Sequence, residues 1–276
     1  MDVDELNYME IIGIVNETNR PPGGVQSLVE VARQTLLDGD DHVLEVGTST
    51  GFTAIELSRL VGCSITAIDV NEQSLAEARE RASSLDVHEN ITFEREDATE
   101  LPYDDETFDV VFVGNVTAYV GDTEAALSEY RRVLKPGGFL VALPMYYERT
   151  PDESLLTDVR DAIGTDIDVT TREYWRDFFD QPDLRSFYET QYEFDFVPES
   201  EVQRYASDVL GQTDLGGFAG ESLVQFVGHE RDERGKQAKP DVEDVPAGPA
   251  SAGAVQVGPH AVPAVTTDGS LRTGLE

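Results

Sequence analysis

The sequence predicts a doubly wound α/β fold, a mostly parallel sheet with helices on both faces. Short apolar runs alternate along the chain with helical stretches of roughly ten to fifteen residues, the pattern of strand–helix–strand units. Most of these runs are continuously apolar, as in strands buried on both faces. A glycine-rich turn fits the same architecture: LEVGTSTGFTA, Leu44 to Ala54, joins the first run to the helix after it.

Taken in order, DELNYMEIIGIVNET has apolar residues at helical spacing and predicts a leading helix, broken by NRPPGG, Asn19 to Gly24. In VQSLVEVARQTLL, Leu28, Val31, Ala32 and Leu36 share one helical face. HVLEVG is the first strand, and FTAIELSRLVG a helix stopping on Gly62. SITAID is the second strand, followed by NEQSLAEARERAS, a helix with Asn71 placed to cap it. ITFERE and FDVVFVGN are strands three and four. DTEAALSEYRRVL is a helix capped by Asp122, and GGFLVALPM the fifth strand. Further on, PDESLLTDVRDAIG and TREYWRDFF read as helices. FYETQYEFDFV alternates strictly, with Tyr188, Thr190, Tyr192, Phe194 and Phe196 facing one way. That predicts a half-exposed antiparallel strand near a sheet edge. SEVQRYASDVL is a helix and SLVQFVGHE a last strand. From Arg231 the chain is Pro, Gly, Ala and charge without a period, so 231–276 reads as a disordered tail. The predicted organisation is 1–24 as leading helix and turn, 25–230 as one domain, and 231–276 as tail.

The chain carries 55 acidic against 20 basic residues, and only Lys135, Lys236 and Lys239 are lysine. An acid-rich, lysine-poor composition of this kind resembles proteins of salt-loving archaea. In molar salt, exposed charges more than about 3 Å apart are largely screened, so the self-repulsion is tolerable. Acidity then reports the solvent and is only a weak argument against a nucleic-acid partner. No run of about 18 apolar residues occurs, so no membrane span is expected. MDVDELNYME is acidic and lacks a basic region followed by an apolar core, which predicts no signal peptide and a cytoplasmic location. The single cysteine, Cys63, excludes an internal disulfide and reads as buried filler. The histidines (His42, His88, His229, His260) are scattered without a metal-like pair, so no metal is expected.

The glycine-rich turn decides the ligand class. Backbone N–H groups at a strand-to-helix junction favour anions and polar ligands, and small residues allow close approach. A dinucleotide fingerprint, G-x-G-x-x-G, read from Gly47 meets Ser49 and Phe52 and fails at two positions. Read at every second residue, the turn gives Gly47, Ser49 and Gly51, a G-x-G-x-G spacing with serine at its centre. Glu45 precedes it by two. At this point the chain resembles the class I S-adenosylmethionine-dependent methyltransferases. The second strand ends in Asp69, where that family places an acid. EDATELPYDDETFDVV is similar to its third motif, and YRRVLKPGGFLVALP to the helix–turn–strand before strand five. Four motifs in order cover about residues 40–145, and methyltransferases of ubiquinone and menaquinone biosynthesis are the nearest general likeness.

The resemblance implies a Rossmann-like methyltransferase fold, a seven-stranded, mostly parallel sheet whose last strand is antiparallel. It implies S-adenosyl-L-methionine as cofactor. Gly47, Thr48, Ser49, Thr50 and Gly51 would wrap its methionine end and ribose. Glu45 would orient that loop. Asp69 would accept from the ribose hydroxyls and Val70 would lie against the adenine. Asp97, with Ala98, would meet the adenine amino group. Asn115 would lie near the reacting methyl. If position 49 needs a positive φ, Ser49 strains the loop by about 1 kcal/mol.

A small organic molecule is the expected acceptor. An RNA or protein acceptor would call for an arginine cluster on the cleft rim, and Arg131 and Arg132 are too few. A catalytically silent cofactor-binding protein stays open through Ser49. A nicotinamide-dependent oxidoreductase would need the absent fingerprint. No N/D-P-P-Y/F/W motif follows strand four, which counts against methylation of DNA-base or glutamine amino groups. Strand-end candidates for the chemistry are Asn115, Thr117 and Tyr119, then Tyr146, Tyr147 and Glu148, and none is singled out as a base. Residues 5–24 read either as part of a lid or as a rigid turn between two helices. Tyr174, Trp175, Phe178 and Phe179, with the strand 187–197, read either as acceptor pocket or as core.

Overall fold

A computed structural model describes residues 18–147 and 168–192, isolated positions from 150 to 160, residue 204 and the backbone of 250–257. Five parallel strands form the body of one sheet: β1 (His42–Val46), β2 (Ser64–Asp69), β3 (Ile91–Arg95), β4 (Phe108–Val113) and β5 (Leu134–Ala142). Antiparallel strands β6 (Leu184–Tyr192) and β7 (Ala250–Val257) extend it, in the order β3-β2-β1-β4-β5-β7-β6. The chain moves outward from β1 to β3, then crosses back to β4. Loops at the carboxyl ends of β1 and β4 therefore diverge, and a crevice opens between them. Register fixes what lines it: Val46, the last residue of β1, pairs with Ile68 and Val113.

Period-two alternation divides these strands between two cores. Val43, Ile65, Phe93, Phe112 and Val141 face α1 (Gly24–Thr35), α2 (Phe52–Val61) and α3 (Glu72–Ser84). Leu44, Val46, Ile68, Val111 and Leu140 face α4 (Thr123–Val133) and α5 (Arg172–Phe179). Both faces are covered, which is why these strands read as unbroken apolar runs.

The helix ends follow their residues. Asn71 accepts from the N–H groups of Gln73 and Ser74, and Asp122 from that of Ala125. Thr171 accepts from Tyr174 N–H at the start of α5. Gly62 ends α2 at φ 81°, its N–H donating to Ser58 O. Cys63 is fully buried, and burial pushes its thiol up to about 11.

Three sequence expectations change. Leu36 does not share the buried face of α1. The helix stops at Thr35, Leu36 turns outward at φ 54° and 74 % exposure, and Leu37 enters the core instead. Residues 250–257, expected within a disordered tail, form β7 between β5 and β6. A gap flanked by strands offers backbone partners on both sides, and ladder pairing does not require large side chains. The edge strand β6 begins at Leu184, ahead of the alternating stretch, with a register shift between Ser186 and Tyr188. The leading helix through residue 17, Phe194, Phe196 and SLVQFVGHE lie outside the described residues.

Candidate functional site

The glycine-rich loop is a chain of alternating left-handed residues. Gly47, Ser49 and Gly51 have φ of 74°, 51° and 84°. This alternation is the physical content of the every-second-residue spacing, because only glycine adopts such angles freely. Gly47 has a second reason: a Cβ there would lie 2.5 Å from Val116 Cγ2, on the loop after β4. A Cβ on Gly51 would lie 2.9 Å from Ala78 Cβ. The N–H groups of Gly47 and Thr48 both donate to Ile68 O at 2.9 Å, tying the loop to β2. Arg81 donates to the carbonyl and hydroxyl of Thr50, each at 3.0 Å.

Ser49 breaks the glycine pattern at a measurable cost. Its φ is in the left-handed region, where a non-glycine residue stores about 1 kcal/mol or more. Its Oγ is buried and has no hydrogen-bond partner among the described residues. Its N–H donates to Asp69 Oδ2 at 2.8 Å.

Two buried carboxylates hold the loop. Glu45, 3 % exposed, accepts from Thr48 Oγ1 at 2.7 Å and is also bonded by the Thr53 side chain and Ala54 N–H. Burial, helped by the Asp69 charge, pushes its carboxyl up to about 7 against those hydrogen bonds. Asp69, 7 % exposed, accepts from Ser49 N–H on one oxygen and from Asn71 N–H on the other. Burial raises its carboxyl too, against backbone N–H groups that favour the charged form. Each carboxylate oxygen has two lone pairs, so these bonds leave capacity for donors from a ligand.

The remaining sequence candidates fall around the same crevice. Val70 follows β2 and is 61 % exposed, an apolar surface without protein cover. Asp97 is exposed; its Oδ1 accepts from the N–H and hydroxyl of Thr99, which hold its carboxyl below the usual range. Ala98 beside it is buried. Asn115 Oδ1 accepts from Met145 N–H at 3.0 Å, joining the end of β4 to the end of β5. Thr117 is buried, its hydroxyl without a partner among the described residues. Tyr146 OH accepts from Gln191, and Tyr147 N–H donates to Thr170 O. Glu148 lies outside the described residues.

Sequence reasoning missed two contributors, Val116 and Thr53, and the hydrogen bonds of a third, Trp175. Val116 walls the loop against Gly47. Thr53 reaches back to Glu45, a contact that a hydroxyl two residues past the last glycine could have suggested. Trp175 Nε1 donates to Met145 O and to Thr170 Oγ1, each at 3.1 Å. Trp175 also lines a cavity of about 380 Å³ with Ala142, Pro144, Arg172, Phe179 and Tyr188. Arg172 and Arg176 both bind Glu189 at its rim. Arg131 and Arg132, weighed as a cleft cluster, are instead held by Asp183, and by Glu129 and Asp105.

S-adenosylmethionine fits this set of groups. Gly47 lets the backbone approach where a Cβ would collide. Glu45 and Asp69 are acceptors suited to an ammonium and to hydroxyls. Ser49 Oγ is an unused polar atom in the same loop. Among the described residues no helix is long and apolar enough to cross a membrane.

Comparison with known proteins gives a consistent result. The family described as "Methyltransferase domain" matches residues 43–138. An uncharacterised protein of Haemophilus influenzae is 30 % identical over 189 residues, 67 % of this chain and 74 % of that one. The demethylmenaquinone methyltransferase of Staphylococcus aureus is 41 % identical over 102 residues, 36 % of this chain. That match spans only 41 % of the Staphylococcus protein. The crystal structure of the MccD protein superposes with a TM-score of 0.70 at 24 % identity, over 87 % of this chain and all of that one, a likeness of fold.

Proposed function

We propose that this chain, which carries a methyltransferase domain over residues 43–138, is a class I S-adenosylmethionine-dependent methyltransferase and that it methylates a small organic acceptor held between the end of β5 and α5. The observation that carries this reading is the cavity of about 380 Å³, where Trp175, Phe179 and Tyr188 meet the charged groups of Arg172, Arg176, Asp177, Asp180 and Glu189. It shares Trp175 with the Met145 carbonyl, and Met145 N–H is bonded to Asn115, so its wall adjoins the β4–β5 end of the crevice. A volume of this size suits a small molecule.

In this reading Gly47 to Gly51 wrap the cofactor's amino-acid end, with Thr48 and Thr50 holding the loop's shape. Glu45 keeps Thr48 and the start of α2 in place. Asp69 accepts from ribose hydroxyls. Val70 and Ala98 flank the adenine and Asp97 accepts from its amino group. Asn115 stands nearest the acceptor. The cofactor, when bound, supplies a methyl group on a positively charged sulfur. The protein's share is then position and exclusion of water, which can supply much of the rate enhancement without a dedicated base. The likeness to a demethylmenaquinone methyltransferase favours an aromatic or quinol-like acceptor, and so do Trp175, Phe179 and Tyr188. Cytoplasmic molar salt is the proposed setting, on composition alone.

The test has two stages. Calorimetry with S-adenosylmethionine and S-adenosylhomocysteine in molar salt should show binding of both; binding of neither sinks the reading, and competition by NADH would favour an oxidoreductase. Methyl-labelled cofactor is then incubated with cell extract, which is separated into small molecules, RNA and protein. Label in the small-molecule fraction supports the proposal. Label in RNA or protein overturns the acceptor class, and no transfer despite binding favours a silent cofactor-binding protein.

A further inference from the structure

The turn before α1 carries a cation that nothing above uses. Arg20 lies with Cζ 5.5 Å from the ring centroid of Phe52, the first residue of α2 and the neighbour of Gly51. Its setting is rigid. Two prolines follow it, and a residue before proline is confined to extended backbone. Gly24 N–H donates to Pro21 O at 2.8 Å. Gly23, at φ 79°, lies so close to Ser27 and Tyr192 that a Cβ would come within 2.9 Å of each.

With acids outnumbering bases, many of the described arginines find a carboxylate, among them Arg33, Arg59, Arg79, Arg132, Arg172 and Arg176. Arg20 has neither ion pair nor hydrogen bond among the described residues and is exposed. It lies beside the N-terminus of α2, whose cap residue Gly51 offers no side chain. The same loop holds the buried, unpartnered Ser49 Oγ, a second sign that a ligand completes it. An amino-acid end sorted by these charges puts its ammonium toward the buried acids and its carboxylate away from them.

We propose that Arg20 is the carboxylate-binding residue for the amino-acid end of the cofactor, held over Phe52 and reaching across the start of α2. This rests on the methyltransferase reading above. It also gives the turn at 19–24 a role in closing the cofactor site.

The test compares ligands that differ by one group. S-adenosylmethionine and its decarboxylated analogue are titrated calorimetrically into wild type, Arg20→Ala and Arg20→Lys in the same buffer. Arg20→Ala should bind S-adenosylmethionine about tenfold or more weakly, the scale of a charge-assisted bond. The decarboxylated analogue should bind Arg20→Ala within about twofold of wild type, and Arg20→Lys should recover part of the loss. Equal losses for both ligands, or no loss for either, overturn the inference. Wild type binding neither ligand overturns the functional reading, and this inference with it. Thermal melting of Arg20→Ala close to wild type excludes a folding defect as the cause.

Discussion

The two sides of the crevice are built differently. On the side of β1 and β2, two buried carboxylates hold the loop through residues that follow each strand. Glu45 bonds Thr48, and Asp69 bonds Ser49 and Asn71. On the side of β5 and α5, side chains meet across long stretches of chain: Asn115 with Met145, Trp175 with Met145, Gln191 with Tyr146, and Arg172 with Glu189. The first side is a backbone conformation enforced by glycines and acids, and so leaves a spacing in the sequence. The second is a tertiary assembly and leaves only a run of aromatic residues. The proposed roles follow this division, since a shared cofactor can be met by one backbone shape while acceptors vary.

The largest expected effect tests the backbone side. Asp69→Ala removes the acceptor for two loop N–H groups and, on the proposed function, for the ribose hydroxyls. Cofactor affinity should fall at least about a hundredfold, on the order of 3 kcal/mol, with a lower melting temperature. Affinity within threefold of wild type by calorimetry would show that the loop, and not this carboxylate, holds the ligand.

The second test is a pH dependence confined to the same side. The Glu45 carboxyl, near 7 when folded, has its ordinary value of 4.5 when exposed. The folded state therefore binds the extra proton between those values, and stability falls as pH rises from about 4.5 to 7. The fall attributable to Glu45 is about 3 kcal/mol. Glu45→Gln cannot titrate. Denaturant unfolding without cofactor should show the variant gaining on wild type by most of that amount between pH 5 and pH 8. A constant difference across that range would mean that Glu45 stays ionised in the folded protein.

The third crosses to the tertiary side. Trp175→Phe keeps most of the aromatic volume but removes the N–H shared by Met145 O and Thr170 Oγ1, leaving Met145 O only the Thr170 hydroxyl at 3.3 Å. It should cost about 1–2 kcal/mol of stability and leave cofactor affinity within twofold. A tenfold loss of cofactor affinity would show that the two sides are not separable.

The division also explains what could be read from the sequence. Caps at Asn71 and Asp122, the stop at Gly62 and the parallel core were legible, because each rests on one residue type in a local pattern. So was the loop spacing, although why alternate positions need glycine emerges only from the φ values. Val116 was not legible: nothing in a valine after strand four says that it will press on Gly47. Trp175 was read as core or pocket, and its N–H bonds to Met145 and Thr170 left no trace in the sequence. Leu36 failed because periodicity does not show where a helix ends, and β7 because composition does not show which strands leave a gap between them.

The smallest effect falls on the residue where the backbone side departs from its own rule. Ser49 carries two costs, a left-handed φ and a buried hydroxyl without a partner. Ser49→Gly removes both and adds the greater chain entropy of glycine when unfolded. The balance should be a gain of about 1 kcal/mol, a rise of about 2–4 °C in melting temperature. Ser49→Ala removes only the hydroxyl and keeps the strained backbone, so the pair separates the two costs. If the hydroxyl meets the cofactor, both variants should bind S-adenosylmethionine more weakly, even though the glycine variant is the more stable protein. If affinity holds in both, Ser49 is strain without a binding role. A glycine variant less stable than wild type would mean that the strained serine makes contacts worth more than its backbone costs, and the sequence-spacing account of the loop would have to be given up at its central position.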